Sequence, residues 1–156
     1  MGSNFWISFN NYSTSAGPLT AAKLFGVTGK RYEITEVIAN GAGQSNPKDI
    51  QHEMWLSFCN TAGGGTGTNV VPAKKDSASG VSVHSCGIKY TAEPTTYATS
   101  NDTLFSFNQR GGMRWAVPEG YGFRNQGGST NFCSGLRVLS SSAGNIDGSL
   151  HWTENG

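Results

Sequence analysis

The chain has 156 residues, of which 13% are charged and 22 are glycine, and its 11 basic and 10 acidic side chains leave a formal net charge of +1. That length suits one domain, and no linker-like stretch divides it. The basic residues are scattered, and the pair Lys74-Lys75 is followed at once by Asp76. Nothing makes the footprint that binding a phosphate backbone requires, so nucleic acid is excluded as an expected partner. No stretch approaches the length of a membrane span, which excludes a membrane on the same footing.

No window sustains the i, i+3, i+4, i+7 apolar period of an amphipathic helix. Short runs of aromatic and β-branched residues recur instead, separated by Gly, Asn, Pro and Ser clusters. In chain order they predict strands at 4–12, 20–27, 31–40, 52–59, 81–90, 103–110, 113–117, 132–140 and 149–153. In the first, Phe5, Trp6, Ile7, Phe9 and Tyr12 put large apolar groups at a chain end. Ordering is costly there unless something holds the segment. Residues 1–12 are therefore read as a first strand or as an arm that adds to a neighbour's sheet edge, with 13–156 as one β-sandwich domain. These five residues are the candidate partner-binding set.

In the third run Val37 and Ile38 are adjacent, which breaks alternation and predicts a bulge or a strand covered on both sides. In the fourth, Met54, Leu56 and Phe58 share one face, as expected of a sheet with one side on a core. The G-G-G-T-G stretch at 63–67 reads as a loop tip, because no Lys-Ser/Thr follows to complete a phosphate cradle. Gly111-Gly112 between two strand-like runs predicts a tight hairpin with positive φ. That register sets Trp115 opposite Asn108 and puts Phe105 and Phe107 on the other face. Such frequent turns fit an all-β, antiparallel, jelly-roll-like sandwich, with a small up-and-down barrel as the alternative.

No constellation of catalytic residues stands out. His84 and Cys86 form an H-x-C pair, but His52 and Cys59 fall on opposite faces of a regular strand and no C-x-x-C spacing supports a metal site. Cys133 with His151 could be drawn as a dyad, but a buried, inert cysteine is the plainer reading. Glu33 and Glu36 are spaced to point to opposite faces, and Glu93 and Glu119 each neighbour a proline in a turn. None makes the facing carboxylate pair of a glycosidase. No enzyme and no cofactor is expected. The cysteines, three in number and with no signal-peptide pattern upstream, predict reduced thiols in a protein assembled in the host cytoplasm.

Several segments carry a resemblance: T-A-E-P-T-T-Y at 91–97, L-F-S-F-N-Q-R-G-G-M-R-W at 104–115, V-P-E-G at 117–120, S-G-L-R-V at 134–138 and G-S-L-H-W-T-E at 148–154, preceded by Y-E-I-T-E-V-I at 32–38. Together they resemble the jelly-roll decoration or cement proteins of tailed-phage heads. The aromatic segment 4–12 departs from that pattern. The resemblance implies a non-enzymatic virion protein on the capsid exterior, whose partners are the major capsid protein and two further copies of itself in a trimer. The alternative function is a tail-associated or fibre glycan-binding module, with Trp115, Tyr121 and Trp152 as candidate stacking rings.

Overall fold

The computed structural model describes residues 2–42, 49–59, 66–93, 97, 103–125 and 132–155. Its strands are β1 (Ser3–Thr14), β2 (Leu19–Phe25), β3 (Arg31–Gly41), β4 (Gln51–Cys59), β5 (Thr68–Val70), β6 (Ala73–Lys74), β7 (Cys86–Ile88), β8 (Thr103–Asn108), β9 (Gly112–Ala116), β10 (Phe123–Asn125), β11 (Cys133–Ser140) and β12 (Gly144–Asn155). They form two antiparallel sheets, one in the order β10-β3-β12-β1-β6 with β9 also on β3, the other in the order β5-β7-β2-β11-β4-β8. The principal strands are β1, β2, β3, β4, β8, β9, β11 and β12. Numbered along the chain, one sheet runs first, eighth, third, sixth, and the other second, seventh, fourth, fifth. That interleaving is the jelly roll. The segment between β4 and β8 adds β6 outside β1 and β5 and β7 outside β2.

Alternating strands explain the core. Phe5, Ile7 and Phe9 of β1, Tyr32 and Ile34 of β3, and Leu150 and Trp152 of β12 point inward from the first sheet. They meet Leu24, Met54, Leu56, Phe107, Leu136 and Val138 from the second. Two bulges keep this alternation in phase over long strands. On β1, Phe9 pairs with Gly148 and Tyr12 with Ile146, so one extra residue is absorbed between them. Asn11 takes a left-handed φ of 49° there, a conformation asparagine tolerates better than most residues. On β3, Ile34 pairs with Trp152 but Glu36 with His151, which makes Thr35 the extra residue. The bulge expected at Val37-Ile38 therefore lies two residues earlier; Val37 points into the core and Ile38 out of it.

The Gly-Gly hairpin is not formed. β8 pairs with β4 in the second sheet, and β9 pairs with β3 in the first. The turn is closed locally by Gly111 N donating to the Asn108 carbonyl at 2.9 Å and Arg110 N to Asn108 Oδ1 at 2.9 Å, and it carries the chain from one layer to the other. Neither glycine has a positive φ; among the described glycines only Gly29 and Gly120 do. Gly112 is needed for space instead, since a Cβ there would press on Asn40 and on the Ala39 carbonyl. Phe105 and Trp115, expected on opposite faces of one ribbon, touch across the two layers with ring centroids 5.8 Å apart.

Candidate interaction surface

The outer face of the first sheet is built from residues that pair across four strands. Paired residues share a face, so Asn4, Thr153, Glu33 and Arg124 form one outward row, and Trp6, His151, Glu36 and Ala116 the next. The Thr35 bulge brings Glu33 and Glu36 onto the same face, not the opposite faces that regular alternation predicts. Glu36 is the hub of its row. Its Oε1 accepts from Arg114 Nε at 2.6 Å, Lys75 Nζ lies 3.6 Å from Oε2, and His151 Nδ1 lies 3.3 Å from Oε2 without hydrogen-bond geometry. Burial works to raise the Glu36 carboxyl, but the Arg114 bond and the charges of His151, Arg114 and Lys75 hold it below its usual value. His151 is pushed down, chiefly by burial and then by Lys75. A neutral ring fits its Nε2, 2.9 Å from Ser149 Oγ, and Trp6 stacks on its outer side at 6.0 Å.

Glu33 holds a loop rather than facing a substrate. Gly120 N and Gly122 N donate to its Oε1 at 2.8 and 2.5 Å, and Arg124 Nε donates to Oε2 at 3.2 Å. The loop between β9 and β10 folds over this carboxylate and displays Tyr121, which is 81% exposed.

The outer face of the second sheet is covered by the chain's own segment after β7. Arg137 of β11 pairs with Glu93 at 3.1 Å and lies under Tyr97, 4.3 Å from its ring centroid, with Trp55 on another side at 5.2 Å. Burial raises the Glu93 carboxyl, and Arg137 opposes that rise. A Cβ on Gly135 would collide with Tyr97 and one on Gly87 with Tyr90, so both glycines make room for rings. Glu93 and Tyr97 on one side and Gly135 and Arg137 on the other, remote in sequence, thereby form one packed arrangement. Beneath it Lys23 is fully buried, its ammonium 4.8 Å from the Phe25 ring and 5.6 Å from that of Tyr90. An open cleft of about 360 Å³ lies at the rim, between Tyr12, Leu19, Lys89 and Tyr90. Its cation already donates to Asn10 Oδ1 at 2.9 Å.

The five candidate partner-binding residues divide. Phe5, Ile7, Phe9 and Tyr12 are buried in the sandwich's own core, and Trp6 alone faces outward. Apart from the bulge after Phe9, β1 pairs with β12 from Ser3 to Thr14, so this segment is a strand of the sandwich. Of the possible metal ligands, Cys86 sits in the core and His84 places Nδ1 2.9 Å from the Phe25 carbonyl. His52 lies 2.7 Å from Ser140 Oγ on the core side, and Cys59 lies on the opposite face. Among the described residues no group of three or more His, Cys, Asp or Glu could hold a metal ion. Cys133 belongs to the second sheet and His151 to the outer face of the first, so both layers separate that pair. Glu93 and Glu119 likewise lie on opposite sides of the sandwich. Of the three candidate stacking rings, Trp152 is 1% exposed and Trp115 packs on Phe105, which leaves Tyr121. Residues 63–65 of the glycine-rich stretch and 94–96 of the T-A-E-P-T-T-Y segment lie outside the described residues. The Glu33-pinned loop had one legible sign in sequence, the Pro118–Gly120 turn signal, but nothing there marked Glu33 as its partner.

The fold and these surfaces define a jelly-roll β-sandwich whose outward features are a polar sheet face and a displayed loop. No protein-family model matches the sequence, and no curated protein does. Among solved structures the chain is similar to a chain of the T13 viral particle of infectious bursal disease virus. The TM-score is 0.23 at 9% identity, over 97% of this chain and 39% of that one. For T=1 particles derived from infectious bursal virus the TM-score is 0.18 at 11% identity, over 97% and 40%. The chain spans about two fifths of the length of those relatives. Likenesses of that size carry no argument about function.

Proposed function

We propose that this protein binds the outside of a phage capsid lattice and stabilises it, as a trimeric decoration or cement protein of the virion. The observation that carries the reading is the character of its bare apolar groups. Val71 is 90% exposed and Val81 78%, both on the insertion that flanks β1, and Tyr121 stands at a loop tip. Aliphatic groups on convex segments have no use for a sugar ring, which stacks on aromatic walls of a concavity. They suit a complementary protein surface. Trimerisation is part of the proposal because local three-fold positions of an icosahedral shell offer three equivalent docking surfaces. Closed association also lets modest contacts act together.

The test is stoichiometry in purified virions, by quantitative mass spectrometry against the major capsid subunit. A ratio near one supports trimers at the three-fold positions. A ratio of a few per cent moves the protein to the tail, and absence from particles refutes the virion role altogether. Removal of residues 2–12 is not a usable test of the N-terminal segment, because it takes out most of β1 and with it the core side chains Phe5, Ile7, Phe9 and Tyr12. Trp6→Ala is, since its side chain faces outward.

A further inference from the structure

Tyr121 is the most exposed aromatic residue described in the chain, yet it sits on a closed turn. It is the last residue of the turn Pro118–Tyr121, closed by Tyr121 N donating to the Pro118 carbonyl at 3.1 Å. Gly120, in the third position, has φ 101°, the left-handed value that a type II turn requires and a side chain resists. Both ends of the loop are tied to β3, through Val117 N to the Thr35 carbonyl at 2.9 Å and through Phe123 pairing with Ile34. Phe123 is seated in turn by stacking on Phe58 at 4.2 Å.

The Glu33 carboxylate lies beneath, 2% exposed, receiving two loop amides and Arg124. Burying a carboxylate is costly unless its partners are supplied, and here they are spent on holding one short loop. Nothing in the core needs that loop's tip, because Tyr121 contributes little buried area of its own. The arrangement therefore fixes the backbone from which the ring is displayed. A loop whose backbone is ordered before binding has less ordering left to lose on association, and tyrosine is among the residues that carry most binding energy at protein interfaces.

We propose that Tyr121 is the anchor of the contact with the capsid lattice, its ring inserted in a depression of a protein surface and its pose set by the Glu33-pinned turn. The inference rests on the capsid-binding reading above. A ring that projects from a convex turn needs its concavity on the partner. A sugar-stacking ring instead lies in the wall of a groove with polar groups arranged around it. The charged residues nearest Tyr121 in sequence are Glu119 and Arg124, and Arg124 is already engaged with Glu33.

The experiment is co-sedimentation of the full chain with purified expanded heads lacking this protein. Wild type is compared with Tyr121→Ala and Gly120→Ala, and thermal melts serve as controls. Tyr121→Ala is expected to weaken binding on the order of 30-fold, the effect of a strong interface anchor, with an unchanged melting temperature. Gly120→Ala keeps the ring but strains the turn, and is expected to weaken binding several-fold. Equal binding by wild type and Tyr121→Ala overturns the anchor while leaving capsid binding intact. Failure of wild type itself to bind heads overturns both the anchor and the capsid reading. Tyr121-dependent binding of wild type to purified host surface polysaccharide, with none to heads, reassigns the ring to a saccharide and overturns the proposal.

Discussion

Removing the Trp152 indole should cost the fold a large share of its stability, whereas trimming it to phenylalanine should not. Trp152 is 1% exposed in the middle of β12, its ring stacks on Phe5 at 6.0 Å, and its Nε1 donates to Glu154 Oε1 at 3.1 Å. A buried indole removes about 150–250 Å² from water. At about 25 cal/mol per Å² that is about 4–6 kcal/mol, consistent with the roughly 3–5 kcal/mol of large-to-alanine changes in cores. Trp152→Phe keeps most of the ring contact and loses one donor. Glu154 still receives the Ser82 hydroxyl and Val83 N, so the lost bond is worth about 1.5 kcal/mol, the low end for a charged acceptor, and the smaller ring adds a modest cavity cost. Against a total stability of about 5–15 kcal/mol for a domain, the alanine variant loses a large fraction and the phenylalanine variant a small one. Urea unfolding, with the slope checked for constancy, measures both. A loss below about 1.5 kcal/mol for Trp152→Ala, or equal losses for the two variants, would refute the placement of this ring in the core.

A double-mutant cycle on Phe105 and Trp115 should give a coupling of about 0.5–1.5 kcal/mol, the range for aromatic pairs in contact; no coupling would favour a ribbon in which they face apart. Stability should fall as pH drops from about 7 towards 5. His52, His84 and His151 are each held below the usual 6.5, with burial the largest cause in each. The unfolded chain therefore takes up protons first, and the folded state loses ground below about 6.5. A depression of one pH unit in one imidazole is worth about 1.4 kcal/mol. Glu93, raised by burial, works the other way near its own titration. Urea midpoints across that range check the sign, and a midpoint that rises on acidification contradicts it. The thiols of Cys59, Cys86 and Cys133 are all buried, with Cys86 pushed up by burial and Cys133 by its bond to Cys59 and then by burial. An aromatic disulfide reagent should find none of them in the native protein and three after unfolding; fast native titration of any one would show that its cover is missing.

The all-β class was legible because alternation and turn residues are local signals, and strands β1, β3, β4 and β11 start and stop within a few residues of expectation. β12 runs further, from Gly144, because its weak first residues are held between β1 and β3. β5, β6 and β10 are two or three residues long and exist as sheet-edge pairings, so they have no pattern of their own to read. The run 81–90 shrank to Cys86–Ile88, since Ser82 and Val83 bond to Glu154 instead of to a strand.

By itself the sequence determined that aromatic and β-branched residues would alternate along short strands, that glycine and asparagine would break them, and that no run of like charges would arise along the chain. Each of these depends only on a residue and its near neighbours. Tertiary structure decided the rest. The Gly-Gly turn became a crossing between layers because β8 and β9 find better partners in β4 and β3 than in each other. One inserted residue, Thr35, moved Glu36 onto the face of Glu33, because strand pairing with β12 shifts by one there. The N-terminal rings became core because β12, more than a hundred residues away in the chain, supplies their hydrogen-bonded neighbour. Such pairings across long separations, and the side-chain faces they assign, are set by which surfaces can be buried together.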